Sequence, residues 1–390
     1  MASLIRTVVC AASLAVLTSN AAAQTVAVDP SRQSVVPAMH ALPVHVGGRV
    51  VTRPSQQTMP TGALSFIHQW PGVYFEAGFA GREVVLRFDD AANEYRLLID
   101  DLDPIRLAQP GRVDVRISGL NDAPHRLRLE TITESVDHSA AFEGFYIPPS
   151  ARPTALPART RSLEFIGDSA MTGYGIRSTT RQCTKEEVRL LTDTQAAWPA
   201  LVSRHFEADY QINAISGRGL IRNFGGVAPE DPMTHAYGFA VRDLAAPYSD
   251  PDWRPRIVFV SLFADFAGDL SPAEPWKTTA ELGADWARSY ATFVSRIHDQ
   301  SPGAAIVVGW LDLSQQTDAD FIALADTARR GIQSAADRRD FRVAFMEMPS
   351  GQDYELTACD HHPGLADQRR LADHVTAYLD AHPDLLSDGP

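Results

Sequence analysis

Residues 162–175 read S-L-E-F-I-G-D-S-A-M-T-G-Y-G, running from Ser162 to Gly175. Leu163, Phe165 and Ile166 predict a short buried strand, and Gly167 ends it. Asp168 and Ser169 follow at the point where the chain has to turn. In an α/β sheet, ligands bind beyond the carboxyl ends of the strands, so this junction offers Ser169 to a substrate. A serine hydroxyl is a weak nucleophile alone. It needs a base within hydrogen-bond reach and donors for the oxyanion. Gly-Asp-Ser is also a common turn tripeptide, with glycine for unusual dihedrals and Asp or Ser for local hydrogen bonds. The stretch acquires a chemical meaning only if the rest of the chain supplies the partners.

Downstream, strands predicted at 163–166, 210–215, 256–262, 305–310 and 342–346 alternate with helical segments at 197–206, 284–300 and 318–338. Apolar residues recur three and four apart in those segments. The alternation predicts a parallel sheet covered by helices on both faces. The last helix, 364–382, places Leu365, Leu371, Val375 and Leu379 on one face and follows Cys359-Asp360-His361-His362-Pro363. Proline is tolerated at a helix start, so His362 sits at a rigid helix entrance, a suitable place for a base.

Upstream, residues 28–147 read as β. Val84–Phe88 and Tyr95–Ile99 are short strands, and Val113, Val115, Ile117, Leu127 and Leu129 alternate with polar neighbours. Period-two alternation over many short strands predicts a sandwich. Trp70 and Tyr74 suit its core better than an exposed sugar-binding face. Residues 148–160, rich in proline, predict a stiff linker, and residues 161–384 form the second domain.

Taken together, the Gly-Asp-Ser block and the distal Asp360-x-His362-Pro363 block resemble the SGNH (GDSL) hydrolases. The F-I-G-D-S-x-x-x-G-Y-G and C-D-x-H-P runs resemble, more narrowly, the family 2 carbohydrate esterases, which include acetylxylan esterases. The stretches from Trp70 to Gly81, Asn93 to Asp100 and His125 to Glu134 are similar to that family's N-terminal sandwich. The resemblance implies a flavodoxin-like three-layer α/β/α hydrolase domain preceded by an all-β jelly-roll sandwich. It implies Ser169 as nucleophile, His362 as base, and Asp360 or a backbone carbonyl as the group that orients the imidazole. The backbone N–H groups of Ser169 and Gly217 are the implied oxyanion donors. One block departs from the pattern: where the family places Gly-x-Asn-Asp, this chain has Leu262-Phe263-Ala264-Asp265, so Ala264 stands at the asparagine place. Alanine has no side-chain donor, and Arg218 is a nearby polar substitute.

The chain has 390 residues, 45% hydrophobic and 21% charged, which suits a two-domain globular protein. A formal net charge of -13 argues against nucleic-acid or anionic-membrane partners. Residues 1–23 have the pattern of a signal peptide: Arg6, an apolar run from Thr7 to Leu17, then Ala21-Ala22-Ala23. Its removal takes Cys10 and leaves Cys183 and Cys359. In an oxidising compartment these two are expected to pair, the other reading being two buried thiols. No phosphate-cradling glycine loop is present, no cofactor is expected, and Asp360, His361 and His362 are too close in sequence to gather a metal ion without further ligands.

The expectation is an exported, monomeric serine esterase removing acetyl or similar small acyl groups from an acetylated plant-wall polysaccharide or oligosaccharide such as xylan. The alternatives are a carbohydrate-binding protein on a weakened esterase scaffold, which the missing asparagine favours, and a lipase or thioesterase of the same fold.

Overall fold

Ser162–Gly167 lies second in a five-stranded parallel sheet, between Asp209–Ala214 on one side and Ile257–Val260 on the other, with Ala305–Leu311 and Val343–Met348 completing the order. The computed structural model describes residues 26–31, 36–55, 59–313, 316–349 and 353–387. The leader read at residues 1–23 lies outside them. In chain order the sheet runs second, first, third, fourth, fifth strand, so the direction of winding reverses at Ser162–Gly167. Such a switch point opens a crevice at the carboxyl ends of the strands. The turn carrying Ser169 leaves the sheet at that end.

The strands are apolar on both faces because both are covered. Leu163, Phe165, Ile257 and Phe259 pack against Trp198 and Val202 of the helix Trp198–His205 and against Leu371 and Val375 of Leu365–Ala381. Ile166, Val258, Val260 and Ile306 face Trp286, Tyr290 and Phe293 of Thr279–Gln300 and Ile332 of Ala319–Arg339. The helix expected to begin at 284 begins at Thr279, because the hydroxyl of Thr278 accepts the N–H of Glu281 and caps an earlier turn.

The N-terminal domain is a two-sheet antiparallel sandwich. One sheet carries Gly111–Ser118, Glu83–Asp90, Ala140–Ile147 and Leu64–His68 at its centre, and the other Tyr74–Ala80, Pro124–Thr131 and Glu94–Ile99. Phe66, Phe75, Phe88, Tyr95, Phe142 and Phe145 interdigitate between them. Trp70 is buried in the core as expected, whereas Tyr74 is buried at the domain boundary, its ring centroid 4.8 Å from that of Tyr210 and its hydroxyl donating to Asp209. The proline-rich segment after residue 147 is not linker throughout. Arg152–Thr154 pairs antiparallel with Tyr74–Ala80 as an edge strand, where Pro153 is tolerated because an edge leaves one side of the ladder unused.

The two domains are locked by buried charge. Arg49, from the sandwich, is 1% exposed and donates to Glu164 Oε1 at 2.9 Å. Its guanidinium also donates to Gln211 and to the Tyr237 carbonyl, and stacks on the rings of Tyr237 and Tyr248. Glu164 sits in the middle of the Ser162–Gly167 strand and takes further hydrogen bonds from Asn213, Tyr237 and Trp253. A carboxylate in a parallel strand is tolerated only with such complete satisfaction.

Candidate active site

Asp168 caps the short helix Ser169–Thr172 by accepting the N–H of Ala170, and Gly173 closes it in the left-handed conformation at φ 69. Burial pushes the Asp168 carboxyl up to about 6, against the backbone hydrogen bond from Ala170. The cap holds Ser169 as the first helical residue at the sheet's carboxyl edge. A first helical residue has no intrahelical partner for its N–H. Among the described residues, the N–H groups of Ser169 and Gly217 make no hydrogen bond. Both are available to an anionic oxygen.

His362 is returned to this turn from the far end of the chain. Its Nε2 lies 2.8 Å from Ser169 Oγ and its Nδ1 lies 2.9 Å from the carbonyl oxygen of Cys359. A carbonyl only accepts, so Nδ1 carries the proton and Nε2 presents its lone pair to the hydroxyl. Burial lowers the His362 pKa below the usual histidine value, opposed by the Cys359 carbonyl and the Asp360 charge. The helix that follows is fastened to the Ser169 turn through buried Gln368, which accepts the Trp198 N–H at 2.8 Å and donates to the Ala170 carbonyl at 3.0 Å.

Of the two groups expected to orient the imidazole, the structure places the backbone carbonyl there. Asp360 instead accepts a hydrogen bond from Tyr174 Oη at 2.9 Å. With one residue between Asp360 and His362, the intervening backbone turns the carboxylate outward, and Asp360 is exposed. Tyr174 in turn lies over the imidazole, ring centroids 4.3 Å apart. Burial and then Asp360 push the Tyr174 phenol up to about 12, so it stays a neutral donor.

The segment carrying His362 is strained and clamped. Asp360 and His361 both have positive φ, 51 and 61. Such residues cost on the order of 1–3 kcal/mol each and persist only where the surroundings over-determine them. Here a disulfide joins Cys359 to Cys183, the Asp360 N–H donates to the Arg181 carbonyl, and the Ala358 N–H donates to the His362 carbonyl. The expected cysteine pairing is therefore present. Gly175 is required by that clamp, since a Cβ there would lie 2.6 Å from Cys359 Sγ.

Ala264 begins the short 3₁₀ turn Ala264–Phe266 after the third strand. The neighbouring Asp265 is buried, and its carboxylate accepts the N–H groups of Leu220, Ile221 and Arg222. This loop therefore braces the one after Gly217 while offering no side-chain donor at the asparagine place. Leu262, at the glycine place, is fully buried. Arg218 donates to Asp231 at 3.0 Å, and its buried Nε has no partner among the described residues.

Sequence reasoning missed Glu134, Tyr174 and Phe224. Glu134 accepts both the N–H and the hydroxyl of Ser216, at 2.7 and 2.6 Å. Phe224 donates its N–H to the Gly217 carbonyl and is 59% exposed, leaving an open aromatic ring beside the site. Tyr174 belongs to the Gly-Tyr-Gly run already singled out, Glu134 ends the His125–Glu134 stretch quoted only for the sandwich, and Phe224 carries no local signal.

A Gly-Asp-Ser turn at the switch point, met by a histidine from the start of the last helix, places the C-terminal domain among the SGNH hydrolases. Residues 47–157 match the family described as Carbohydrate esterase 2 N-terminal. The chain is 36% identical over 340 residues to an acetylxylan esterase / glucomannan deacetylase of Cellvibrio japonicus (strain Ueda107), covering 87% of this chain and 91% of that protein. A solved carbohydrate esterase, whose active site is described as having divergent catalytic and non-catalytic binding functions, superposes with a TM-score of 0.79. It is 33% identical, and the match covers 89% of this chain and 100% of that one. A family two carbohydrate esterase from Clostridium thermocellum in complex with cellohexaose shares the fold at 22% identity and a TM-score of 0.69, over 88% of this chain and 100% of that one. The chain belongs to the family 2 carbohydrate esterases and is a carbohydrate esterase.

Proposed function

We propose that this protein is an exported esterase that removes acetyl groups from a plant-wall polysaccharide, with Ser169 as nucleophile and His362 as base. The observation that carries the mechanism is the 2.8 Å approach of His362 Nε2 to Ser169 Oγ, with Nδ1 on the Cys359 carbonyl. Ser169 Oγ attacks the ester carbonyl while His362 Nε2 takes its proton. The carbonyl oxygen becomes an oxyanion, received by the N–H groups of Ser169 and Gly217. Collapse breaks the bond to the sugar oxygen, which takes the proton from His362, and an acetyl-serine remains. Water then attacks the acetyl carbon, gives its proton to His362, and the proton returns to Ser169 Oγ as acetate leaves.

The activities of the Cellvibrio relative, an acetylxylan esterase / glucomannan deacetylase, support a neutral acetylated polysaccharide as substrate. The exposed ring of Phe224 beside Gly217 supplies an apolar face of the kind sugar rings pack on. Export is supported by the leader pattern at residues 1–23 and by the disulfide, which needs an oxidising environment to form.

Acetate release from acetylated xylan, acetylated glucomannan and 4-nitrophenyl acetate is the test, wild type beside Ser169→Ala. The substitution deletes only a hydroxyl, so the fold is expected to survive, and turnover on all three is expected to fall by about 10⁴-fold or more. Undiminished hydrolysis by the pure, folded variant would overturn the reading.

A further inference from the structure

Gly217 is the third residue of a turn closed by the Arg218 N–H on the Ile215 carbonyl, at 3.0 Å. Its φ of 75 is that of a type II turn. The Ser216–Gly217 peptide is the central peptide of that turn, and type I and type II turns differ by a flip of this unit. A flip would exchange the Gly217 N–H for the Ser216 carbonyl, replacing an oxyanion donor with an acceptor.

Two contacts oppose the flip. On the hydrolase side, the Phe224 N–H holds the Gly217 carbonyl at 2.8 Å. On the other side, Glu134 binds Ser216 through both carboxylate oxygens. Glu134 belongs to the sandwich domain, just beyond the strand Pro124–Thr131. It is flanked by Thr133 and Ser135, whose hydroxyls both donate to Asn93 Oδ1 at 3.0 Å. Asn93 is itself 1% exposed and donates to Asp90. A clamp on both neighbours fixes Glu134 more firmly than an ordinary loop carboxylate. Thr172, in the Ser169 helix, completes the tie with its hydroxyl 3.0 Å from Ser216 Oγ.

A carboxylate near an oxyanion would oppose it unless compensated. Asp231 receives both Arg218, at 3.0 Å, and Arg242, at 2.8 Å, and Arg242 also donates to the Val136 carbonyl two residues from Glu134. Arg218 and Arg242 thus set positive charge beside Asp231, and Arg242 beside Glu134.

We infer that Glu134 is a positioning residue of the esterase, supplied by the sandwich domain, which holds the Ser216–Gly217 turn with its donor facing the reacting carbonyl. The sandwich is then a working part of the oxyanion hole. This inference rests on the reading of Ser169 and Gly217 given above. That reading fails separately, if Ser169→Ala keeps its activity.

Steady-state kinetics on 4-nitrophenyl acetate, with thermal melts, test the inference. Glu134→Ala is expected to lower kcat by about 100-fold, the cost of misplacing a catalytic group by about an ångström, with KM within about threefold. Glu134→Gln keeps an acceptor for the Ser216 N–H and is expected to recover at least about tenfold of that loss. Wild-type kcat in folded Glu134→Ala would overturn the inference, as would a loss confined to KM or a glutamine variant no better than alanine. Should Glu134→Ala not fold, Glu134→Asp, whose shorter carboxylate withdraws from Ser216, decides in the same way: reduced kcat supports the inference and unchanged kcat overturns it.

Discussion

The histidine facing Ser169 and the turn at Gly217 are held by different means. His362 is fixed from within its own segment: the Cys359 carbonyl lies three residues away, the Cys183 bridge pins that residue, and the helix Leu365–Ala381 begins just beyond. Gly217 is fixed from outside, by Glu134 from another domain and by Asp265, through the residues after it, from another loop. Short-range covalent and backbone constraints tolerate changes elsewhere. A turn held by distant side chains depends on the whole assembly being in place, so substitutions far along the chain can lower turnover without touching substrate.

The sharpest way to break this contrast is at the base. His362→Ala, which removes the ring 2.8 Å from Ser169 Oγ, is expected to cost about 10⁴-fold or more in kcat on 4-nitrophenyl acetate, whereas substitution of the exposed neighbour, His361→Ala, should stay within about tenfold of wild type. The reverse ranking would mean that the base has been misplaced.

On the oxyanion side the expected change is a gain. Ala264→Asn adds a side-chain donor at a half-buried position where the resemblance to SGNH hydrolases implies one, and about 1–3 kcal/mol of transition-state stabilisation corresponds to roughly a 5- to 150-fold rise in kcat. KM should move less, because the bond strengthens as charge develops. Leu262 is best left alone. It is fully buried, and its truncation would open a cavity costing about 2–5 kcal/mol. No gain from a folded Ala264→Asn variant would mean that the two backbone donors already suffice.

The smallest expected effect separates Asp360 from the imidazole. With His362 as the proposed base its neutral form is the active one, and burial already lowers its pKa, so the acid limb of kcat/KM is expected below the ordinary histidine value of 6.5. Asp360 raises that pKa by its charge. Asp360→Asn removes the charge, so the limb should move further toward low pH while kcat on the plateau changes by less than about tenfold. An upward movement would contradict this, and a loss of several orders would show that Asp360 does orient the imidazole.

What could be read from the sequence follows the same division. The strand ending at Gly167, the Asp168 cap, Ser169 and the histidine ahead of the last helix are encoded by neighbouring residues, and period-two and helical spacings mark the two layers beside them. Asp360 shows where local reading stops. One-residue spacing to His362 brings it near in sequence, but the left-handed backbone at Asp360 and His361 turns its carboxylate to Tyr174. The contact of Glu134 with Ser216 could not be read, since the two lie 82 positions apart and the stretch from His125 to Glu134 marks only a sandwich strand. The strand at Arg152–Thr154 was hidden by proline, which reads as linker until a sheet edge is there to receive it.

The bridge between Cys183 and Cys359 spans 176 residues and ends on the residue whose carbonyl holds the imidazole. The support of the segment that carries His362 is therefore completed by a post-synthetic oxidation. Until those two thiols have surrendered their electrons, the left-handed pair at Asp360 and His361 lacks its covalent anchor and is held by hydrogen bonds alone.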